Sequence, residues 1–304
     1  MKNIIIFVAD SLRQDTYNQT LKPLLKASKI PYIEHHSFRS CNSCTELSLP
    51  WMLSGMEIFS ENMAFPKDLE KKGYKTFLIH SNPIVGRFSG CFMDSVDLSQ
   101  RTKNPLYKVT KKYNRLRKAF ETHFPYLYKQ AKKYIRGTEK NYLPYTRIYD
   151  TLPHIPLEPN RLTWVHLMDP HTPYYPLKTV IHIDTIITQN DNQISAVRGY
   201  YTPTIDERML WKQLYQDECL EMSKTLVQFL QTLDFNETTV ILTSDHGEEF
   251  GEHGHYGHKG NRANPENVDV PFLVFGDNTP LIDFNTHSGL RRYVNSLVNR
   301  SPII

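Results

Sequence analysis

The chain has few cysteines and no long apolar run. Four cysteines in 304 residues are too few for a disulfide framework, so a reducing, cytoplasmic setting is expected. No stretch reaches the ~18 consecutive apolar residues that a membrane span needs. The apolar run Ile4–Val8 is too short for a signal-peptide core and lacks a small-residue cleavage site after it. The sequence therefore gives no indication of secretion.

Extremes of composition and charge are missing as well. Charged residues make up 22% and hydrophobic residues 39% of the chain, and the formal net charge is +4. These values exclude a disordered, collagen-like or coiled-coil chain. No nucleophile elbow of the Gly-x-Ser-x-Gly type and no phosphate-binding P-loop occurs. We expect one domain over residues 1–304, with a C-terminal helix or tail at 277–304.

Short apolar runs that end in polar residues predict buried strands. Five such runs occur: Asn3–Val8, Lys75–Ile79, Leu162–Met168, Thr239–Thr243 and Val270–Phe275. Helical patterns over Pro66–Lys72 and Ile205–Leu233 alternate with them. This alternation predicts an α/β fold, a mostly parallel central sheet sandwiched by helices. Ligands of such sheets bind at the carboxyl ends of the strands, where acids and histidines are found here.

One segment interrupts this pattern with positive charge. Residues 101–136 carry twelve Lys or Arg and one acid, while the rest of the chain has 24 basic and 31 acidic residues, a net of −7. Apolar residues at helical spacing within it predict a basic helical insertion at 101–150. Two interpretations stay open. The segment contacts an anionic surface, a membrane or acidic glycan rather than nucleic acid, or it is a solvated helical cap.

Candidate metal ligands follow two of the predicted strands. Asp245 and His246 stand side by side before Gly247, and Asp10 follows the first strand. A carboxylate and an imidazole at a sharp turn can bind one metal ion, and Asp10 could add a third ligand from a neighbouring strand. Thr45 precedes Pro50, a residue that suits a first helical turn, so a helix is predicted to start near Thr45. A hydroxyl at a helix N-terminus beside a metal can become a nucleophile.

Two histidines, His171 and His258, lie in further motifs rich in Pro or Gly. Taken in order, the motifs resemble those of the sulfatase-like branch of the alkaline phosphatase superfamily. They are Phe7–Arg13, Thr45–Gly55, Gly73–Thr76 with Ser81–Pro83, Asp169–Tyr174, and Ser244–His258 with Val270–Pro271. The resemblance covers residues 3–100 and 160–276, and leaves out the basic segment and the C-terminal tail.

The resemblance implies a metallo-esterase with a covalent intermediate. By position it assigns the metal ligands Asp10, Thr45, Asp245 and His246. It makes Thr45 the nucleophile and places His171 and His258 on the transferred group, as catalytic and substrate-binding residues. Asn82 would help to bind the oxyanion. A second metal would be held by Asp169, His171 and His258, although Asp169 stands closer to His171 in sequence than in two-metal relatives.

Departures from the sulfatase pattern favour phosphorus chemistry. Sulfatases carry a Cys/Ser-x-Pro-x-Arg signature, whereas the stretch from Thr45 to Leu49 lacks its Pro and Arg. The order Thr-x-x-Ser-Leu-Pro resembles the catalytic domain of phosphoethanolamine transferases. An imidazole ligand suits zinc, one ion or two, better than Mn²⁺ or Ca²⁺.

The prediction is therefore a zinc-dependent phosphoester hydrolase or phospho-group transferase acting through Thr45. Its substrate would be a phosphorylated lipid or glycan, most simply a phosphodiester. The first alternative is a sulfuric ester hydrolase acting on sulfated lipids or glycans. The second is a catalytically degenerate binding protein of the same fold. A cytoplasmic protein at the periphery of the membrane would suit the basic segment.

Overall fold

The structure is a computed structural model that describes residues 2–99, 146–177, 179–277 and 284–299. The basic segment 101–136 lies outside the described residues. So does all of the predicted insertion 101–150 except its last five residues. Its helical character and its surface contacts stay predictions.

Nine strands and nine α-helices form the described part of the chain. The strands are β1 (Asn3–Ala9), β2 (Tyr32–Glu34), β3 (Lys75–His80), β4 (Asp94–Asp97), β5 (Arg161–Leu167), β6 (Thr238–Thr243), β7 (Glu249–Phe250), β8 (Tyr256–Gly257) and β9 (Phe272–Phe275). The helices are α1 (Gln14–Gln19), α2 (Leu21–Ser28), α3 (Thr45–Ser54), α4 (Phe65–Glu70), α5 (Ile148–Thr151), α6 (Ile183–Val197), α7 (Ile205–Leu230), α8 (Pro265–Val268) and α9 (Leu290–Asn299). Short 3₁₀ turns connect several of them.

Seven of the strands form one sheet in the order β2-β9-β6-β1-β5-β3-β4. The five strands from β6 to β4 run parallel to one another, and β9 pairs antiparallel with both β6 and β2. The predicted α/β class with a mostly parallel central sheet is confirmed. The strand predicted at Val270–Phe275 is shorter and antiparallel in the structure. A separate hairpin pairs β7 with β8.

Alternate residues of the central strands enter two hydrophobic cores. In β1, Ile5 and Phe7 pack on one face of the sheet, while Ile4, Ile6 and Val8 pack on the other. Both sets are almost fully buried, because a parallel strand covered by helices on both faces has no solvent side. Helices α1, α2, α6 and α7 cover the first face; α3, α4 and α9 cover the second.

Helix α3 begins at Thr45, as predicted, with Cys44 as its N-cap. The placement of Pro50 in the first turn is wrong, since Pro50 is the sixth of ten helical residues. A proline there has no N–H for the carbonyl four residues earlier, that of Glu46. Gly55 ends the helix in the left-handed conformation with φ 80°, and an added Cβ would lie 2.8 Å from the Ser288 carbonyl oxygen.

The long helix α7 contacts the residues that follow the carboxyl end of β1. It starts at a capping box in which Thr204 and Glu207 satisfy each other's backbone N–H groups. Halfway along it, the Tyr215 hydroxyl donates to the Ser11 carbonyl at 2.8 Å and accepts from the Arg13 N–H at 2.9 Å. The residues that follow β1 are thereby fixed against a rigid helix.

The C-terminal part of the described chain also packs on the body of the fold. Helix α9 lies against α4, where Arg291 pairs with Asp68 at 2.8 Å. Of the predicted C-terminal helix or tail 277–304, the structure describes residues 277 and 284–299. That these residues form a unit apart from the catalytic domain stays a prediction. Within the described ranges, no helix is both long and apolar enough to cross a membrane.

Candidate active site

The carboxyl ends of two neighbouring strands bring three of the predicted metal ligands together. Asp10 follows β1, Asp245 and His246 follow β6, and all three side chains are fully buried. One ligand atom from each lies within 4.8 Å of the others. Strands β1 and β6 are parallel neighbours in register, with Val8 opposite Thr243. The residues just beyond both strand ends therefore meet at one edge of the sheet.

The separations within this cluster match a shared metal position. His246 Nε2 lies 3.5 Å from Asp10 Oδ1, 3.5 Å from Asp245 Oδ2 and 3.2 Å from the Thr45 hydroxyl. A zinc ion with tetrahedral bonds of ~2.1 Å holds its ligand atoms roughly 3.4 Å apart. Asp245 Oδ2 is buried and has no hydrogen-bond partner within the ranges that the structure describes. An orphaned carboxylate oxygen at this spacing fits a bound cation, and the imidazole makes zinc a better fit than calcium.

The hydrogen bonds of His246 leave the correct nitrogen for a metal. Nδ1 lies 2.8 Å from the Gly247 carbonyl oxygen, so we assign the ring proton to Nδ1. The lone pair of Nε2 then points to the carboxylates. Burial and the neighbouring His258 lower the pKa of His246 to about 3, so the ring is neutral, which is the form that ligates metals.

The two carboxylates oppose each other electrostatically. Burial and the charge of Asp10 raise the pKa of Asp245 to about 6. Burial would also raise the pKa of Asp10, but the nearby His171 and His246 outweigh it and hold that pKa below its ordinary value. A pair of buried, adjacent carboxylates is stable in its doubly ionised form only with a cation between them.

The Thr45 hydroxyl also contacts this cluster, through His246. It is the first residue of α3, is 3% exposed and directs its hydroxyl to His246 Nε2. The positive end of a helix dipole favours anions at this position. An anionic substrate placed against the helix N-terminus would thus lie beside the hydroxyl.

Three histidine rings line one side of the site. The ring centroids of His246 and His258 are 4.3 Å apart, and those of His171 and His258 are 4.9 Å apart. The structure thus places the predicted residues His171 and His258 beside the cluster of Asp10, Asp245 and His246. His258 Nδ1 lies 3.3 Å from the carboxylate of Glu248. Burial alone would lower the pKa of His258, but Glu248 outweighs it and raises that pKa to about 8.

Asn82 also contacts the cluster, by a hydrogen bond to Asp10. Its Nδ2 donates to Asp10 Oδ2 at 2.7 Å, and its Oδ1 accepts from the Ile84 N–H at 2.8 Å. This amide therefore orients the first carboxylate. Its predicted contact with substrate stays a prediction.

Asp169 is held away from the histidines by other partners. Arg147 Nη1 donates to its Oδ1 at 3.0 Å, and the Ile148 N–H donates to its Oδ2 at 3.0 Å. The same Arg147 nitrogen donates to Glu218 of α7 at 2.6 Å. With both oxygens engaged, Asp169 anchors the segment that carries His171. A second metal on Asp169, His171 and His258 stays a prediction without added support from these contacts.

Three site residues were missed at the level of sequence. His166 lies inside β5, Glu248 comes two residues after His246, and Arg147 follows the basic segment. All three are buried. His166 had a usable signal, because it is polar within an apolar run, and Glu248 lies inside the Ser244–His258 motif. Arg147 had none, since only the path of the chain brings it to Asp169.

The glycine after His246 is required by space. A Cβ on Gly247 would lie 2.0 Å from the Glu266 carbonyl oxygen. The Gly247 N–H donates to the Asn267 carbonyl at 2.7 Å. This close approach of two backbone segments holds the Asp245–His246 turn in place.

The fold is that of the alkaline phosphatase superfamily, and its site combines strand-end carboxylates, an imidazole and a helix-terminal hydroxyl. The family model described as Sulfatase matches residues 2–281, and the chain belongs to this family. Members of this family are enzymes, and the intact cluster agrees with an enzyme here. No curated protein sequence matches the chain.

Solved structures share the fold at low sequence identity. The C-terminal periplasmic domain of phosphoethanolamine transferase EptC from Campylobacter jejuni has a TM-score of 0.60 and 17% identity, over 98% of this chain and 89% of that one. The corresponding domain of EcEptC from Escherichia coli, in complex with Zn, has a TM-score of 0.59 and 15% identity, over 98% and 82%. Phosphonate monoester hydrolase SpPMH from Silicibacter pomeroyi has a TM-score of 0.63 and 13% identity, over 99% and 74%.

Proposed function

We propose that this chain cleaves or transfers a phosphoester through a covalent phosphothreonine at Thr45. The observation that carries the proposal is the Thr45 hydroxyl, buried at the N-terminus of α3 and 3.2 Å from His246 Nε2. The similarity in fold to phosphoethanolamine transferases and a phosphonate monoester hydrolase supports it. The cluster of Asp10, Asp245 and His246 would hold the metal together with Thr45.

Each residue near Thr45 has a distinct task in this proposal. A bound zinc ion would supply Lewis-acid activation of the nucleophile and the phosphoryl group. Thr45 Oγ1, whose proton would pass to solvent because a bound ion would lower its pKa, attacks phosphorus in line. The bond from phosphorus to the ester oxygen breaks, and the phosphoryl group, with any remaining substituent, stays on threonine. The N-terminus of α3 stabilises the phosphoryl oxygens. His258, whose Nδ1 faces Glu248, holds a proton at Nε2 that can neutralise the departing oxygen, and His171 lies beside it.

The second half of the reaction regenerates threonine. A water molecule or an acceptor hydroxyl attacks the same phosphorus, and the Thr45 oxygen is the leaving group. His258, having given up its proton, can accept one from the incoming nucleophile. Whether water or another hydroxyl completes this step decides between a hydrolase and a transferase.

The proposed substrate is a phosphodiester on a lipid or glycan. The basic residues of 101–136 supply twelve positive charges that would suit an anionic surface. Sedimentation with vesicles containing anionic lipid tests this, using a variant with several of these lysines replaced by glutamine. The EptC domains named above are periplasmic, so the expected cytoplasmic setting stays a prediction for this chain.

A panel of chromogenic esters tests the reaction. The zinc-loaded protein is given p-nitrophenyl phosphate, bis-p-nitrophenyl phosphate, a p-nitrophenyl phosphonate and p-nitrophenyl sulfate. Thr45→Ala should lower turnover by a factor on the order of 10⁴, whereas Thr45→Ser keeps a hydroxyl and should retain measurable turnover. Mass spectrometry of acid-quenched protein should find one phosphoryl group on Thr45.

The alternatives give different results in the same panel. Turnover of the sulfate alone would replace the proposal by the sulfuric ester hydrolase. Phosphoester turnover that Thr45→Ala leaves intact would remove Thr45 from the mechanism. Absence of both bound metal and activity would leave the degenerate binding protein.

A further inference from the structure

The position of His166 in β5 directs its side chain to the cluster of Asp10, Asp245 and His246. It lies opposite Val8 of β1 and opposite His80 of β3, one residue before β5 ends. Trp164 and Leu162, two and four residues earlier, enter the same core as Val8. By the alternation of a strand, His166 therefore projects on the face that carries Asp10 at the end of β1.

Both carboxylates of the cluster face the His166 ring. Its Nε2 lies 3.5 Å from Asp10 Oδ2 and 3.6 Å from Asp245 Oδ2. The ring is fully buried, and among the described residues neither of its nitrogens has a hydrogen-bond partner. Asp245 Oδ2, which also lacks one within the described part of the chain, thus stands between the Nε2 atoms of two histidines, His166 and His246.

These distances are those of atoms that share a cation. They are too long for hydrogen bonds between the ring and the carboxylates. They are close to the roughly 3.4 Å expected between ligands of one zinc ion. Asp10 spans the two histidines, with Oδ1 3.5 Å from His246 and Oδ2 3.5 Å from His166.

We propose that His166 Nε2 is a further ligand of the metal held by Asp10, Thr45, Asp245 and His246. The inference rests on the metal site of the proposed function. Zinc in catalytic sites can expand from four ligands to five. A second imidazole would raise the preference of the site for zinc over magnesium and calcium, which select oxygen ligands. Because His166 is part of a central strand, it would also hold the metal at a fixed distance from the sheet.

X-ray absorption spectroscopy at the zinc edge counts imidazole ligands directly. The wild-type protein, loaded with one equivalent of zinc, is compared with His166→Gln and with His287→Gln. His287 is a matched control: it is also a fully buried histidine, and its ring packs on Phe38 with centroids 5.3 Å apart. Competition with a chromogenic chelator gives the zinc affinity of each protein.

The expected spectrum of the wild type shows two imidazole ligands, and that of His166→Gln shows one. Zinc affinity should fall about tenfold or more in His166→Gln and stay near wild type in His287→Gln. A wild-type site with bound zinc and a single imidazole overturns the inference and leaves the proposed function standing. Two imidazoles in both proteins also overturn it, because the second would come from His171 or His258.

The wild-type spectrum decides the matter even if His166→Gln fails to fold. A wild-type protein that binds no zinc, manganese or cobalt would overturn both this inference and the proposed metal site. Failure of the ester panel with a two-imidazole zinc site present would count against the proposed reaction alone.

Discussion

The Glu248 carboxylate lies 3.3 Å from Nδ1 of His258, whose ring centroid is 4.3 Å from that of His246. Glu248 is fully buried, and its pKa is lowered because the attraction of His258 and His171 outweighs the effect of burial. A buried anion fixed in this way keeps the partner ring protonated and oriented. His258 thereby becomes a cation placed beside His171 and His246.

The first prediction concerns the pH dependence that this pair imposes. With a pKa of about 8, His258 is protonated below that pH and loses its proton above it. We expect kcat/KM to fall as the pH rises through about 8. Glu248→Gln removes the charge but keeps the shape, so the fall should move to 6.5, the ordinary histidine value, or below.

A pH profile of kcat/KM for wild type and variant makes this measurement. Tyr174→Phe is the control, because the Tyr174 hydroxyl lies 3.4 Å from the same Glu248 oxygen and its loss leaves the carboxylate in place. A limb that stays near pH 8 in Glu248→Gln would show that Glu248 does not set the protonation of His258.

The second prediction separates a metal ligand from a bystander histidine. His246→Ala removes the imidazole that lies within 3.5 Å of Asp10 and Asp245. Zinc affinity should fall by more than tenfold, since two adjacent carboxylates lose a neutral ligand on the same ion. His253→Ala should leave zinc content unchanged, because His253 is on the surface and contacts Glu266 at 2.8 Å. Elemental analysis after dialysis decides between the two results.

Metal removal should also lower thermal stability. Any group that binds only the folded state stabilises it, by about 2.7 kcal/mol at a free concentration one hundred times the dissociation constant. A melting experiment with and without chelator should therefore show a lower melting temperature for the stripped protein. In His246→Ala the same chelator should cause little further change; an equal drop in both proteins would place the metal elsewhere.

Much of the site could be predicted from the sequence because its residues follow strands. Asp10 and Asp245 each come after an apolar run, and parallel strands deliver their carboxyl ends to one edge. The start of α3 at Thr45 was equally local. The register of β1 with β5 is not local, and only that register brings His166 to Asp10.

Contacts made by connecting segments are the second part of the site that the sequence does not predict. The resemblance implies a second metal on Asp169, His171 and His258, and that site stays a prediction. Both Asp169 oxygens accept hydrogen bonds, from Arg147 and from the Ile148 N–H. The ion pair joins residues 22 positions apart in sequence. No periodicity or motif encodes such a contact, because it depends on the tertiary placement of Arg147 beside Asp169.

The fourth prediction tests that ion pair. Arg147 is 2% exposed and bridges Asp169 and Glu218, both of which are also buried. Arg147→Met would leave two buried carboxylates without their cation, at a cost of about 3–5 kcal/mol. By contrast, Arg161→Ala breaks a pair with the exposed Glu158 and should cost less than about 1 kcal/mol.

Chemical denaturation of the two variants compares these costs, and the site supplies a second readout. The Arg147 guanidinium also donates to the Tyr175 carbonyl oxygen, so the segment 169–175 is held at both ends by one side chain. Without these hydrogen bonds His171 should become more mobile and kcat should fall. Zinc affinity at Asp10, Asp245 and His246 should stay near wild type. If Arg147→Met instead lost zinc and activity together, the network would be part of the metal site itself, contrary to the contacts of Asp169.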